Sequence, residues 1–227
     1  MLNSLELTGR ARTHVRDVAD PSCTLHPDAA AALRAMRDAA RTCGMELAIV
    51  SGFRDFERQM TIWTDKFTGR RPLLDRTAAV IARDALDERT LVESILLWSA
   101  VPGASRHHWG SDFDVIDVAT LPVGMDARLL PEDFVSGGRF ERLDRWLRDN
   151  MRSFGFYRPY TRDRGGVQPE PWHLSYAPVA LPALESLTLG VLREAIEGSD
   201  LPGRGVVLEL LPEIFDRYVR AVDSPDR

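Results

Sequence analysis

The chain has 227 residues, 44% of them hydrophobic and 28% charged, a mixture that can bury a core and fits neither a disordered tract nor a membrane bundle. Its net charge of −5 lacks the basic balance that a phosphate backbone asks of its partner, so nucleic acid is a poor candidate. Two cysteines, Cys23 and Cys43, cannot build a thiolate zinc site, an iron–sulfur cluster or a disulfide scaffold, so any metal must be held mainly by carboxylates and by the five histidines, His14, His26, His107, His108 and His173.

The basic residues are almost all arginine, with Lys66 the only lysine. A biased genome accounts for this, and the pattern assigns Lys66 no task. The chain does not open on a basic segment followed by an apolar run of about 7 to 15 residues, and no stretch approaches the ~20 apolar residues of a membrane span. As written it reads as a cytoplasmic protein, with export by another route or phage-mediated release as the alternatives.

Residues 1 to 25 are polar and read as an irregular lead-in. His26-Pro27-Asp28 then opens a helix carrying Ala32, Leu33, Met36, Ala39 and Ala40 at helical spacing, which Gly44 ends. Met45 to Val50 reads as a strand that delivers Ser51-Gly52-Phe53-Arg54 at its end. Asp55 is placed to cap a second helix with Phe56, Gln59, Met60 and Trp63. Two helical stretches are expected next, over 76–84 and 88–100, the second with Leu91, Ile95 and Trp98 on one face.

Pro102-Gly103 leads into a segment whose last six residues, Asp112 to Asp117, alternate like a strand. Phe140 to Phe154 reads as an amphipathic helix capped by Gly155, and Phe156 to Tyr160 as a strand. A final strand-like segment runs from Pro169 to Tyr176, and beyond Pro178 helices are expected over 183–197 and 206–222. The order of elements predicts an α+β fold with a small, mostly antiparallel sheet flanked by helices. The expected organisation is a lead-in over 1–25, a single domain over 26–180 and a helical C-terminal extension over 181–227.

His107, Asp114 and His173 form a set with a chemical use. Hydrolysis assisted by zinc needs three protein ligands of the histidine or carboxylate kind and one open position for water. A turn at Gly110 followed by a strand can bring His107 and Asp114 to one point, with Asp112 beside Asp114 on the same face. Glu170, three residues before His173, is placed to exchange protons with a bound water if the chain bends at Pro171. The plain readings stand beside this one: a lone histidine is more often a satisfied core or surface group, Arg54 half of an ion pair, and Ser105 a turn hydroxyl. A serine hydrolase built on Ser105 with His107 or His108 is disfavoured, because no Gly-x-Ser-x-Gly elbow is present.

Four motifs in order carry a resemblance: Ser51-Gly52-Phe53-Arg54 with Gln59; Ser105-x-His107-x-x-Gly110-x-x-x-Asp114; Gly155-Phe156; and Glu170-x-Trp172-His173-Leu174. Together, over about 45–178, they resemble the VanY-type D-alanyl-D-alanine carboxypeptidase family of zinc peptidases. The resemblance implies one Zn2+ held by His107, Asp114 and His173, Glu170 as the catalytic base, and Arg54 as oxyanion stabiliser or substrate anchor. It further implies substrate contacts at Gln59 and Ser105, and as partner a peptidoglycan stem peptide or D-Ala-D-Ala.

The alternatives within that class are an L,D-carboxypeptidase, a dipeptidase and an endolysin-like endopeptidase. Outside it stands a zinc-stabilised module that only binds peptidoglycan. Trp172 is expected to pack beneath the site. Two departures from the family's pattern concern its neighbours. Asp112 replaces a small apolar residue and is expected to orient Arg54 or a ligand, or to sit near the metal; His108 is expected as a donor to the site or a substrate contact.

Overall fold

The first 25 residues are more ordered than their polar composition predicts. Asn3 caps a single turn, α1 (Ser4–Leu7), by accepting from the amides of Leu5 and Glu6, and β1 (Arg16–Val18) pairs antiparallel with β2 (Cys23–Leu25). The irregular lead-in is thereby corrected: Leu7 and Leu25 are buried in two different apolar clusters and tie the segment down. The computed structural model describes residues 1–122 and 129–225.

Helix α2 (Pro27–Thr42) starts at a proline, where no intrahelical N–H is lost, and buries Leu33, Met36 and Ala40. After β3 (Leu47–Ser51), the Asp55 carboxylate accepts from the Arg58 amide and starts α3 (Phe56–Phe67), which buries Phe56, Gln59, Ile62 and Trp63. The helix expected over 76–84 is replaced by a hairpin of β4 (Leu73–Leu74) and β5 (Val80–Ile81). The cause is Asp75, whose Oδ1 accepts from the amides of Thr77 and Ala79 and from the Thr77 hydroxyl, offering those donors a partner outside a helix. Helix α4 (Glu88–Leu96), capped by Asp87, ends four residues before the expected 100.

Strand β6 (Asp112–Asp117) is buried at every position. Helix α5 (Glu141–Asn150) runs on as a 3₁₀ turn to Phe154, where Gly155 in the left-handed region releases the chain into β7 (Phe156–Tyr157). That strand is shorter than the expected 156–160. With β8 (His173–Tyr176) the sheet has the order β3-β6-β8-β7, antiparallel throughout, so the expected α+β class holds. Phe113 and Val115 of β6 face α2 and α5, packing with Leu33, Met36 and Leu147.

Beyond β8 the chain is helical, in shorter pieces than the two expected. Helix α6 (Ala177–Ser186) begins directly at the strand, and Thr188 caps a separate α7 (Leu189–Glu197). Helices α8 (Arg204–Glu209) and α9 (Leu211–Ile214) and a π turn, Phe215–Arg220, complete a second cluster with α3 and α4 around Trp63, Leu91, Ile95, Leu192 and Val207. The last two residues of the expected extension lie outside the described residues. No described helix is long and apolar enough to cross a membrane.

Candidate metal centre and its cleft

Strand register assembles the centre. In the sheet Asp114 stands directly opposite Ser51 of β3 on one side and His173 of β8 on the other, and paired residues in a sheet hold their Cβ atoms about 4.5–5.5 Å apart. The third member, His107, comes from a 3₁₀ turn, Arg106–Trp109, closed by Gly110 at φ 66°. A Cβ on Gly110 would lie 2.8 Å from the His26 amide nitrogen, so only glycine lets the chain turn there into β6.

One potential ligand atom each from His107, Asp114 and His173 lies within 4.8 Å of the others. His107 Nε2 is 3.7 Å from Asp114 Oδ2, and His173 Nδ1 is 3.3 Å from Asp114 Oδ1. Ligands about 2.0–2.2 Å from a tetrahedral zinc ion would be ~3.4 Å apart, so this spacing suits one such ion.

Proton placement points the same way. The Gly52 carbonyl accepts from His107 Nδ1 at 2.9 Å, which leaves the Nε2 lone pair directed at Asp114. Burial, with Arg54 nearby, pushes the His107 pKa down to about 3, so the ring is neutral. His173 gives its Nε2 proton to Asp112 Oδ1 at 3.0 Å, while its Nδ1 is buried without a hydrogen-bond partner. Burial disfavours a charge on His173, yet Asp112, Asp114 and Glu170 outweigh it and raise its pKa well above the ordinary value. Burial would likewise raise the Asp114 carboxyl, but His107, His173 and Arg54 hold it at about 2. The centre is thus built to favour a cation among its ligands, and an N₂O donor set with an orphaned nitrogen fits a divalent ion of the zinc kind.

Glu170 reaches the centre through a turn. The His173 amide donates to the Glu170 carbonyl at 3.1 Å, the bend expected at Pro171, and Glu170 Oε2 stands 3.4 Å from His173 Nδ1. Arg54 is clamped from both ends. Its Nε donates to the Ser51 hydroxyl and its Nη2 to Asp114 Oδ2 at 3.1 Å; its backbone N–H donates to the His107 carbonyl, and its own carbonyl accepts from His108 Nδ1. These groups line a cleft of about 360 Å³ together with Lys66, Arg71, Trp98, Ser105, Tyr160 and Trp172.

The VanY family model, described as D-alanyl-D-alanine carboxypeptidase, matches residues 22–179. The chain belongs to the VanY family. Among relatives, an uncharacterised protein of Haemophilus influenzae is 34% identical over 121 residues, 52% of this chain and 92% of that one. A D-alanyl-D-alanine carboxypeptidase of Enterococcus faecalis is 29% identical over 147 residues, 63% of this chain and 45% of that one. Two solved structures share the fold. A vancomycin-resistance D,D-pentapeptidase, VanY from a VanB-type cassette, in complex with Zn(II), has a TM-score of 0.52 at 24% identity, over 74% of this chain and 82% of that one. VanYB in complex with D-alanine-D-alanine has a TM-score of 0.53 at 22% identity, over 82% and 89%.

Within this VanY-family cleft the remaining expected residues take different places. Ser105 lines the cleft and makes no capping bond, so its hydroxyl is free of the turn role. Gln59 does not line it. The side chain is fully buried behind the wall, with Nε2 donating to the Ala100 carbonyl at 2.8 Å, which corrects the expected substrate contact: Gln59 fixes Ala100, which does face the cleft. His108 also lies behind the site and not in contact with substrate space. Its Nε2 accepts from the Gly103 amide and its Nδ1 proton goes to Arg54, and burial lowers its pKa to about 4. Trp172 packs on Trp98 and Phe134, and with Trp98 it lines the cleft.

Asp112 orients His173, as one expectation had it, but its guanidinium partner is Arg106 and not Arg54. Sequence reasoning passed over Arg106 and Tyr160. Arg106 Nε donates to Asp112 Oδ1 at 2.8 Å, and its Nη2 donates to the Tyr157 hydroxyl and Ser175. A signal for it existed: an aspartate inside a buried strand needs a nearby cation. The Tyr160 ring stands edge-on to His173, with centroids 5.1 Å apart, and burial raises its phenol pKa so that it stays neutral.

Proposed function

We propose that the chain is a zinc-dependent D,D-carboxypeptidase acting on cell-wall stem peptides, with His107 Nε2, Asp114 and His173 Nδ1 as ligands of one ion per chain. When bound, zinc supplies a Lewis acid for the scissile carbonyl and an acidified water as nucleophile. The chain's own residues do the rest. Glu170 takes the proton of the attacking water and passes it to the departing amine, since of the two carboxylates beside the ligand set, Asp112 and Glu170, it is the one that lines the cleft. Arg54, permanently charged and fixed by Ser51 and Asp114, faces the charge that develops on the carbonyl oxygen. Asp112 and the Gly52 carbonyl hold the two imidazoles in the tautomers that ligation needs.

The observation that carries this reading is the placement of Glu170 Oε2 at 3.4 Å from the orphaned Nδ1 of His173. A module that only binds peptides has no use for a carboxylate there. Zinc-loaded protein incubated with muropeptides ending in D-Ala-D-Ala is expected to release one D-alanine, read by mass spectrometry. Release of a dipeptide or opening of a cross-link would replace the carboxypeptidase assignment. Glu170→Ala is expected to keep its metal, measured by emission spectroscopy, and to lose hydrolysis by about 10²–10⁴-fold. A Glu170→Ala protein with full activity would end the proposed mechanism.

A further inference from the structure

Lys66 is the chain's single lysine, and the fold places it in the cleft wall. It sits in the last turn of α3, one turn beyond Ile62, which also lines the cleft, so the side chain runs over Ile62 toward the centre. It is half-buried and makes no hydrogen bond or ion pair to any described residue. Arg71, also in the wall, has Asp65 as its one side-chain partner among the described residues, at 3.4 Å from its Nε.

Neither carboxylate of the cleft forms an ion pair with Lys66: Asp114 pairs with Arg54 and the imidazoles, and Glu170 stands nearest to His173 Nδ1. Burial lowers the Lys66 amine to about 8 while the Glu170 charge, acting across the cleft, pulls it back up, so at neutral pH it is mostly an ammonium that no hydrogen bond or ion pair to a described residue holds. A half-buried, unpaired ammonium destabilises a fold, and its presence is best explained by an anion that arrives with the substrate.

We propose that Lys66, with Arg71 beside it, binds the free α-carboxylate of the residue that is cleaved off, and so selects peptides that end one residue beyond the scissile bond. This rests on the reading of the cleft as a peptidase site. An α-carboxylate on the leaving residue is two bonds from the scissile nitrogen, so a cation in the same cleft as Arg54 and Glu170 is suited to it. In an endopeptidase substrate that position holds a neutral amide, which leaves the ammonium unpaired.

The test uses acetyl-D-alanyl-D-alanine and its C-terminal amide, in two arms. In calorimetric titration of the zinc-loaded Glu170→Ala protein, the acid is expected to bind at least tenfold more tightly than the amide. Adding Lys66→Met is expected to shrink that preference to threefold or less, and Lys66→Arg to restore most of it. In hydrolysis by the otherwise unaltered enzyme, Lys66→Met is expected to raise KM for the acid with little change for the amide. Its melting temperature is expected to be no lower than that of the parent, because an unpaired charge has been removed. Equal binding of acid and amide, or a preference that Lys66→Met leaves intact, would overturn the assignment. Absence of hydrolysis together with a Lys66-dependent preference would overturn the peptidase reading instead.

Discussion

His173 stands between two aspartate–arginine pairs whose aspartates sit two residues apart on one strand and face the same side. On one flank Arg106 and Asp112 are sealed, with side chains 3% and 0% exposed; on the other, Arg54 and Asp114 border the cleft at 23% and 6%. Every polar atom of Asp112 is spent inside the protein, on Arg106, His173 and the Ser111 hydroxyl. Asp114 faces two imidazole nitrogens that want a cation. The same pair of residue types is therefore locked into the interior where water is excluded, and open to a metal and a substrate, as the proposed function requires, where it borders the cleft.

The largest break in that comparison is expected at Asp114. Asp114→Ala removes the carboxylate from the ligand set, and we expect zinc content to fall to background and turnover to drop by about 10³-fold or more, with circular dichroism unchanged. A variant that keeps stoichiometric zinc would show that the ion is held elsewhere.

At Asp112 the large effect is expected in stability. Asp112→Asn leaves Arg106 buried with an uncompensated charge, a change that costs about 3–5 kcal/mol in denaturant unfolding. Burial would raise the Asp112 carboxyl, but Arg106 and His173 hold it well below the ordinary carboxylate range. A carboxylate with a depressed folded-state pKa stabilises the fold above its unfolded value and loses that contribution as pH falls. The gap between wild type and variant is thus expected to be constant from neutrality down to about pH 4 and to close below it. A gap that widens in acid would contradict the assigned pair.

How much of this could be read in advance follows from how local each feature is. The caps of α2 and α3, the buried strand β6 and the bend at Glu170 depend on near neighbours, and they were legible from His26-Pro27, Asp55, the alternation after Gly110 and the paired prolines. The hairpin at 73–81 was missed because one side chain, Asp75, outcompetes a helical pattern rich in alanine. In the site, spacing left His107, Asp114, His173 and Glu170 as residues of suitable type, and it was the four ordered motifs, through their resemblance to the family, that gathered them into one set; the fold brings the four together. The same resemblance set Gln59 against substrate, whereas the i, i+3, i+4 face that carries Phe56 and Trp63 turns it into the core. The partner of Asp112 was hidden for a different reason: the turn that folds Arg106 back over the strand is set by Gly110, and both arginines are equally plausible in sequence.

Chelation gives the smallest expected effect and the sharpest separation of the two flanks. A ligand that binds only the folded state stabilises it by RT ln(1 + [L]/Kd), about 2.7 kcal/mol at a hundredfold excess over Kd. Removing zinc from the wild type is therefore expected to lower the melting temperature by several degrees, about what 2–3 kcal/mol produces in a domain of this size. In Asp114→Ala the chelator has no ion to remove, and the shift is expected to vanish. In Asp112→Asn the ligands remain but His173 loses its charged hydrogen-bond acceptor, which weakens metal affinity about 10–100-fold. Because each tenfold loss in affinity takes ~1.4 kcal/mol from the stabilisation, the chelator shift there is expected to be reduced and still measurable at high zinc. Equal chelator shifts in the two variants would mean that the sealed and the open carboxylate play the same part at His173, and the distinction between them would fall.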